Sequence, residues 1–285
     1  MKRFISFLLA CTTSLLCVPS VIAASPDSQP NNTTVVTAIP NEYDLLCNIS
    51  EKSDEELSSQ GYTVAEISTI RNYKEEYDEH LLQLKDLDED VLQHLGYSDE
   101  QIDIFRDYTG TEEQIRSLAA SLDFHLTADY VTWSASENRT NARLSYEFEW
   151  AGVPLVKTSD IVAVSWNDWT INGKSSYVTY THIYGTEPDY SLAATYVQND
   201  GPNSFGGGFK FAMTQEDNYF WAKSGYGIFT LYHNYERHDL SAYAEYGHST
   251  FSVSPSFFIP GYGAINFSYG TEMEEQDWED MACEN

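Results

Sequence analysis

The feature that most constrains this chain is a change of hydrophobic period near residue 121. Before it, apolar side chains recur at helical spacing, as in Val64, Ile67, Ile70, Tyr73, Tyr77, Leu81 and Leu84. After it, apolar and polar residues alternate in short runs separated by Gly, Asn, Asp and Pro. A helical period cannot be accommodated on a pleated strand, nor an alternating one on a helix, so the chain must build two kinds of layer. The pattern predicts an α+β fold: a small N-terminal helical bundle followed by an all-antiparallel β-domain of about ten strands.

Helix starts are marked chemically. Ser53-x-x-Glu56, Thr63-x-x-Glu66, Ser98-x-x-Gln101 and Thr111-x-x-Gln114 fit the capping box, in which a hydroxyl and a carboxylate or amide satisfy free backbone donors reciprocally. The helical segment also repeats itself. LSSQGYTVAEISTIRNY (57–73) aligns with LQHLGYSDEQIDIFRDY (92–108), sharing Leu57/Leu92, Gly61/Gly96, Tyr62/Tyr97, Ile67/Ile102, Arg71/Arg106 and Tyr73/Tyr108. Each unit reads as a helix closed by a left-handed Gly, a Tyr folded back on the last turn, and a hydroxyl that caps the next helix. Two units are too few for a solenoid, so a compact bundle of four or five helices is expected. A Gly-aromatic corner between helices resembles that of ubiquitin-associated domains, although packing alone accounts for it.

Residues 121–270 hold 31 aromatic side chains, 15 of them Tyr, together with five of the six Trp, which is strand-forming composition. Asn172-Gly173 predicts a hairpin turn. A sandwich and a closed barrel both fit such a pattern.

The ends of the chain carry separate signals. Lys2 and Arg3, an apolar stretch from Phe4 to Ile22 and the small residues around Ala23 read as a secretory signal peptide over 1–23. Residues 24–44 read as a flexible leader, 45–121 as the helical domain, 122–270 as the aromatic β-domain and 271–285 as an acidic, solvated tail. No transmembrane segment is expected after signal cleavage, and the location expected is secreted and extracellular. Cleavage leaves Cys47 and Cys283, which in an oxidising compartment can form a disulfide or stand as two separate thiols.

The net charge is −29, from 44 acidic against 15 basic side chains, which opposes nucleic-acid binding and excludes a polybasic membrane tether. Of that charge, residues 25–120 carry 22 acids and 6 bases, while 121–270 carry 15 acids and 7 bases. The β-domain is therefore the milder surface, open to neutral glycans or proteins.

No nucleophile elbow, zinc pair, phosphate loop or C-x-x-C motif occurs, and the sequence is read as non-catalytic. DLDED (86–90) resembles the start of an EF-hand loop, but Val91 stands where that loop requires Gly. The densest ionisable cluster is YHNYERHD (232–239), where His233, Glu236 and His238 could surround a metal or, with His248, serve as an acid–base group in a secreted hydrolase. The competing reading is a polar turn between strands. WNDWTING (166–173) offers Trp166 and Trp169 as flat faces beside Asn167, Asp168 and Asn172, the composition of a sugar-binding platform for an extracellular glycan or protein surface. Core packing is the alternative for both indoles. Asn199-Asp200-Gly201 and Glu216-Asp217-Asn218 can bind calcium weakly or simply make turns, and no other cofactor is expected. A β-rich membrane-active toxin is a third functional class that amphipathic strands permit.

An exported leader, helical Gly-Tyr-Ser/Thr repeats and a Tyr-rich β-domain ending in AEYGHSTFSVSPS (244–256) together resemble exported bacterial proteins. The resemblance implies export and a two-part architecture and assigns no site residue.

Overall fold

The computed structural model describes residues 41–198, 205–250, 255–261, 264–267 and 271–282. The signal peptide, most of the leader, Cys283 and the Asn199-Asp200-Gly201 turn lie outside the described residues. The last leader residues are helical instead, because Asn41 caps α1 (Glu42–Ser50) by accepting from the Asp44 N–H.

Six further helices follow: α2 (Asp54–Ser59), α3 (Val64–Arg71), α4 (Tyr73–Lys85), α5 (Glu89–His94), α6 (Asp99–Arg106) and α7 (Glu112–Leu118). All four capping boxes form, at the starts of α2, α3, α6 and α7. The repeat becomes the pairs α2–α3 and α5–α6. At its two corners Gly61 and Gly96 adopt φ of 96° and 94°, a left-handed conformation that side-chain-bearing residues avoid. The Tyr62 and Tyr97 N–H groups then close on the carbonyls of Leu57 and Leu92.

The alternating segment forms two antiparallel sheets. The larger runs β1 (Ser121–Ser134), β2 (Arg139–Ala151), β9 (Phe220–His233), β4 (Thr170–His182) and β5 (Tyr190–Ala193), with β8 (Thr214–Gln215) on β9. The smaller runs β13 (Thr271–Ala282), β10 (Asp239–Ser249), β3 (Ser159–Trp166), β7 (Gly206–Ala212) and β6 (Thr195–Gln198). Their inner faces meet through aromatic pairs: Phe148 stacks on Phe211 at 5.1 Å, and Trp166 meets Phe229 at 5.1 Å. Two facing sheets make a sandwich and not a closed barrel. The chain passes from one sheet to the other at Ala194, between β5 and β6. A small ribbon of β11 (Phe257–Gly261) and β12 (Ala264–Phe267) lies over the outer face of the smaller sheet, with Ile259 and Ile265 against Ala163.

Three local expectations change. The acidic segment after residue 270 is not a free tail: Thr271–Ala282 pairs along β10, from Thr271 opposite Ser249 to Ala282 opposite Asp239. Asn172-Gly173 is not a hairpin turn but lies within β4 at a register shift against β9, because β3 and β4 belong to different sheets. The sequence also reads as two strands, Tyr219–Lys223 and Tyr226–His233, parted at Ser224-Gly225, whereas β9 runs continuously beneath two large rings. A Cβ on Gly225 would lie 2.2 Å from the Phe148 ring. This glycine provides room for an aromatic layer and does not turn the chain.

Helices and sandwich share one continuous core that includes Tyr43, Tyr77, Leu95, Trp150, Trp166 and Tyr246. Replacing Gly225 with Ala should therefore force Phe148 aside and lower stability by about 1–3 kcal/mol. Ser224→Ala on the opposite face should stay within about 0.5 kcal/mol. Urea midpoints of the two variants check the difference.

Candidate functional site

Two polar constellations stand out, one sealed and one open. The sealed one joins the helical layer to the sandwich. Glu42, Asp160 and His248 are each fully buried. Asp160 and His248 occupy inward-facing positions of β3 and β10, in phase with Val162 and Val164 on one strand and with Ala244 and Tyr246 on the other. The His248 Nδ1 lies 2.9 Å from Asp160 Oδ1, and its Nε2 lies 3.5 Å from Glu42 Oε1. Asp160 also accepts from the Tyr246 hydroxyl at 2.5 Å and the Ser249 N–H at 3.1 Å. Glu42 accepts from the Tyr77 hydroxyl at 2.7 Å and from the N–H groups of Leu155 and Val156 at 2.7 and 2.8 Å.

The charge states follow from these partners. Burial would drive His248 neutral, but the Asp160 charge and hydrogen bond, supported by Glu42, push it up to about 10, so an imidazolium bridges two carboxylates. Burial would raise Glu42 as well, yet the approach of the His248 ring and that ring's charge, the Val156 N–H and Tyr77 bring it below the usual carboxylate value. Neighbouring His80 is lowered to about 4 by burial and then by the charge of Lys157, and its Nε2 lies 2.8 Å from the Val153 carbonyl. Burial brings Lys157 down to about 8 against the attraction of Glu42. The trio is sealed from solvent and joins α1 to β3 and β10. It acts as a fastening.

The remaining expected site residues are dispersed. His238 stands near Glu236, 3.4 Å apart, on an exposed turn. His233 lies 3.9 Å from Asp168 and packs against Trp169. His238 precedes β10 and His248 is its last residue but one, which at strand rise separates them by roughly 30 Å. His233, Glu236 and His238 therefore do not share a site with His248. Trp166 and Trp169 are 2 % and 1 % exposed, so neither offers a face to a sugar ring. The facing sheet covers Trp166, whose Nε1 donates to the Trp169 carbonyl, while the Trp169 Nε1 donates to Asp239 O. Their edges reach a 260 Å³ hollow shared with Lys174, Tyr196 and Gln198. Asn167 ties its amide to Asp239 and Ser241, Asp168 meets Arg237, and Asn172 is exposed on β4. Glu216-Asp217-Asn218 forms a turn of three successive left-handed residues. Among the described residues no three His, Cys, Asp or Glu side chains gather to hold a metal ion. Cys47 is half-buried on α1.

The open constellation was not expected from sequence. On the outer face of the larger sheet, a groove of about 330 Å³ is lined by Asp123, His125, Glu147, Glu149, Tyr177 and Tyr226, among others. Strand register explains it. His125 pairs with Glu147, Glu147 with Tyr226 and Tyr226 with Tyr177, making one row across four strands. Asp123, Glu149, Ser224 and Thr179 make the next row on the same face. Tyr177 is 53 % exposed. His125 Nε2 lies 3.1 Å from Asp123 Oδ1, and Lys223 Nζ 3.3 Å from Glu149 Oε1. The smaller sheet has its outer face covered by the β11–β12 ribbon, whereas this face of the larger sheet carries no such layer among the described residues. The only signal in the sequence was the outward phase of these residues, which any solvated strand shares.

No protein-family model matches the sequence, and no curated protein matches it. Solved structures align with part of it. The C-terminal domain of the Streptococcus agalactiae AgI/II polypeptide BspA shows 9 % identity over 55 % of this chain and 49 % of that one, with a TM-score of 0.31. ACE19, the collagen-binding subdomain of the Enterococcus faecalis surface protein ACE, shows 9 % identity over 57 % and 96 %, at 0.29. The collagen-binding domain from a Staphylococcus aureus adhesin shows 6 % identity over 57 % and 97 %, at 0.28. The chain spans about half the length of the streptococcal domain it matches. At these scores the likenesses identify neither a family nor a ligand.

Two outcomes are expected from the sealed constellation and the indoles. Replacing His248 with Gln leaves two buried carboxylates without their cation and should cost about 3–5 kcal/mol. Because His248 is raised from 6.5 to about 10, its contribution is complete below pH 6.5 and is lost as pH rises through about 10. The stability difference between wild type and His248→Gln should narrow over that interval; taking the difference cancels the opposing titration of Lys157. Trp166→Ala and Trp169→Ala should each cost about 3–5 kcal/mol, as core truncations do, where a surface platform would tolerate them. Urea unfolding at stepped pH measures all three variants.

Proposed function

We propose that the protein is an exported, non-catalytic binding protein that engages an extracellular surface ligand through the open face of its larger sheet. The observation that carries this reading is the groove across β1, β2, β9 and β4, where two tyrosine rings lie beside carboxylates and hydroxyls on a rigid sheet. Exposed tyrosines supply contact area at low entropic cost, and the flanking polar groups supply orientation. The buried histidine–carboxylate trio supports the non-catalytic part, since the most strongly perturbed histidine serves to join layers. Among the described residues no helix is long and apolar enough to cross a membrane.

The test is a binding screen of the mature chain against immobilised polysaccharides and extracellular-matrix proteins, repeated with Tyr177→Ala/Tyr226→Ala. The double variant should keep its melting temperature within a few degrees and lose at least about tenfold in affinity, as expected when two aromatic anchors are removed. Undiminished binding by the folded double variant would place the ligand elsewhere.

A further inference from the structure

The chemistry of the groove narrows its ligand, if the open sheet face is the binding surface proposed above. Its carboxylates are unequally occupied. Asp123 has His125 beside it and Glu149 has Lys223. Glu147 stands in the other row, opposite His125 on one side, with no basic side chain within 4 Å among the described residues, and on the other side it is directly opposite Tyr226, which is directly opposite Tyr177. Neighbouring strands lie about 5 Å apart, so a carboxylate and two phenol rings follow one another in a line of about 10 Å. That line suits a flat cation. A guanidinium forks onto a carboxylate through paired N–H donors and lays its plane on an aromatic face, whereas an ammonium is a compact, strongly hydrated point charge that gains less from the rings. The groove's 330 Å³ lies at the small end of ligand sites and suits side chains more than a whole folded element.

The surrounding field agrees in sign. The mature helical segment and the sandwich are both net negative, which attracts a basic partner and repels polyanions. We infer that the groove accepts arginine side chains from a basic polypeptide segment, with Glu147 as the anion and Tyr226 and Tyr177 as the stacking surface.

The experiment uses the full mature chain and fluorescence anisotropy at 150 mM salt with three labelled probes: hexa-arginine, hexalysine and a neutral cello-oligosaccharide. Hexa-arginine should bind at least fivefold more tightly than hexalysine. Glu147→Gln should weaken hexa-arginine about tenfold, and Tyr177→Ala should bring the two peptides to parity. Glu113→Gln, a charge loss on exposed α7, should change affinity less than twofold. Equal affinity for both peptides, with Glu147→Gln and Glu113→Gln equivalent, would overturn the inference and leave only diffuse attraction to a polyanion. Binding of the oligosaccharide that Tyr177→Ala abolishes, without binding of hexa-arginine, would overturn the cationic partner and keep the groove. Binding insensitive to every groove variant would overturn both.

Discussion

The ionic contact of His248 with Asp160 and Glu42 is the constraint on which the rest of the architecture depends. Removing such groups from water costs several kcal/mol each, and the cost is offset only where partners sit at hydrogen-bonding distance on every side. For the carboxylates they do: a hydroxyl and a backbone N–H complete Asp160, and a hydroxyl and two N–H groups complete Glu42, whereas His248 Nε2 faces Glu42 at 3.5 Å as a charge and not through a hydrogen bond. The energetic consequence is asymmetric. The trio adds little net stability over an apolar plug, yet any sliding of the helical layer across the sandwich would strand a charge. Orientation is what it enforces.

The internal repeat contributes to the same end. Its two Gly-Tyr corners are alike in sequence and in backbone conformation, and each sends its tyrosine hydroxyl toward the sandwich. Tyr97 receives the Val153 N–H at 3.2 Å, and Tyr62 approaches the Thr250 hydroxyl at 3.5 Å. Gly96 is tightly enclosed, since a Cβ there would meet the Trp150 carbonyl at 3.0 Å, whereas Gly61 has open space around it. The duplicated motif thus supplies two separated anchoring points, one of them pressed close against β2. Two such points and the buried trio leave no free axis of rotation between the layers.

Local chemistry was legible and long-range chemistry was not. The capping boxes and left-handed glycines depend on residues within four positions of each other, and all of them form. Trp166 and Trp169 misled because their fate depends on a facing sheet, whose Phe229 comes from far along the chain. Asn172-Gly173 misled for a related reason: a hairpin requires two strands of one sheet, and these strands belong to different sheets. The sealed trio could have been suspected from one signal, charged residues at core-facing positions of β3 and β10, which mark either an error of phase or a buried partner. What no local pattern carries is that the partner would be Glu42, at the start of the first helix. The open groove is the reverse case, since its residues look like any solvated strand face until register places Glu147, Tyr226 and Tyr177 in one row.

The reach of the Tyr62 contact has a consequence for how the molecule is made. It spans 188 positions, and the contact of Glu42 with His248 spans more. A chain that emerges from its N-terminus forms the helices first, by local contacts that close quickly, but Glu42 cannot meet His248 until β10 is complete. Until then Glu42 has the Tyr77 hydroxyl and the Leu155 and Val156 N–H groups as partners but lacks its cation. Assembly therefore ends with a late locking step, and a chain interrupted before residue 248 would retain helices that can meet β2 and the segment after it but lack the buried charge pair.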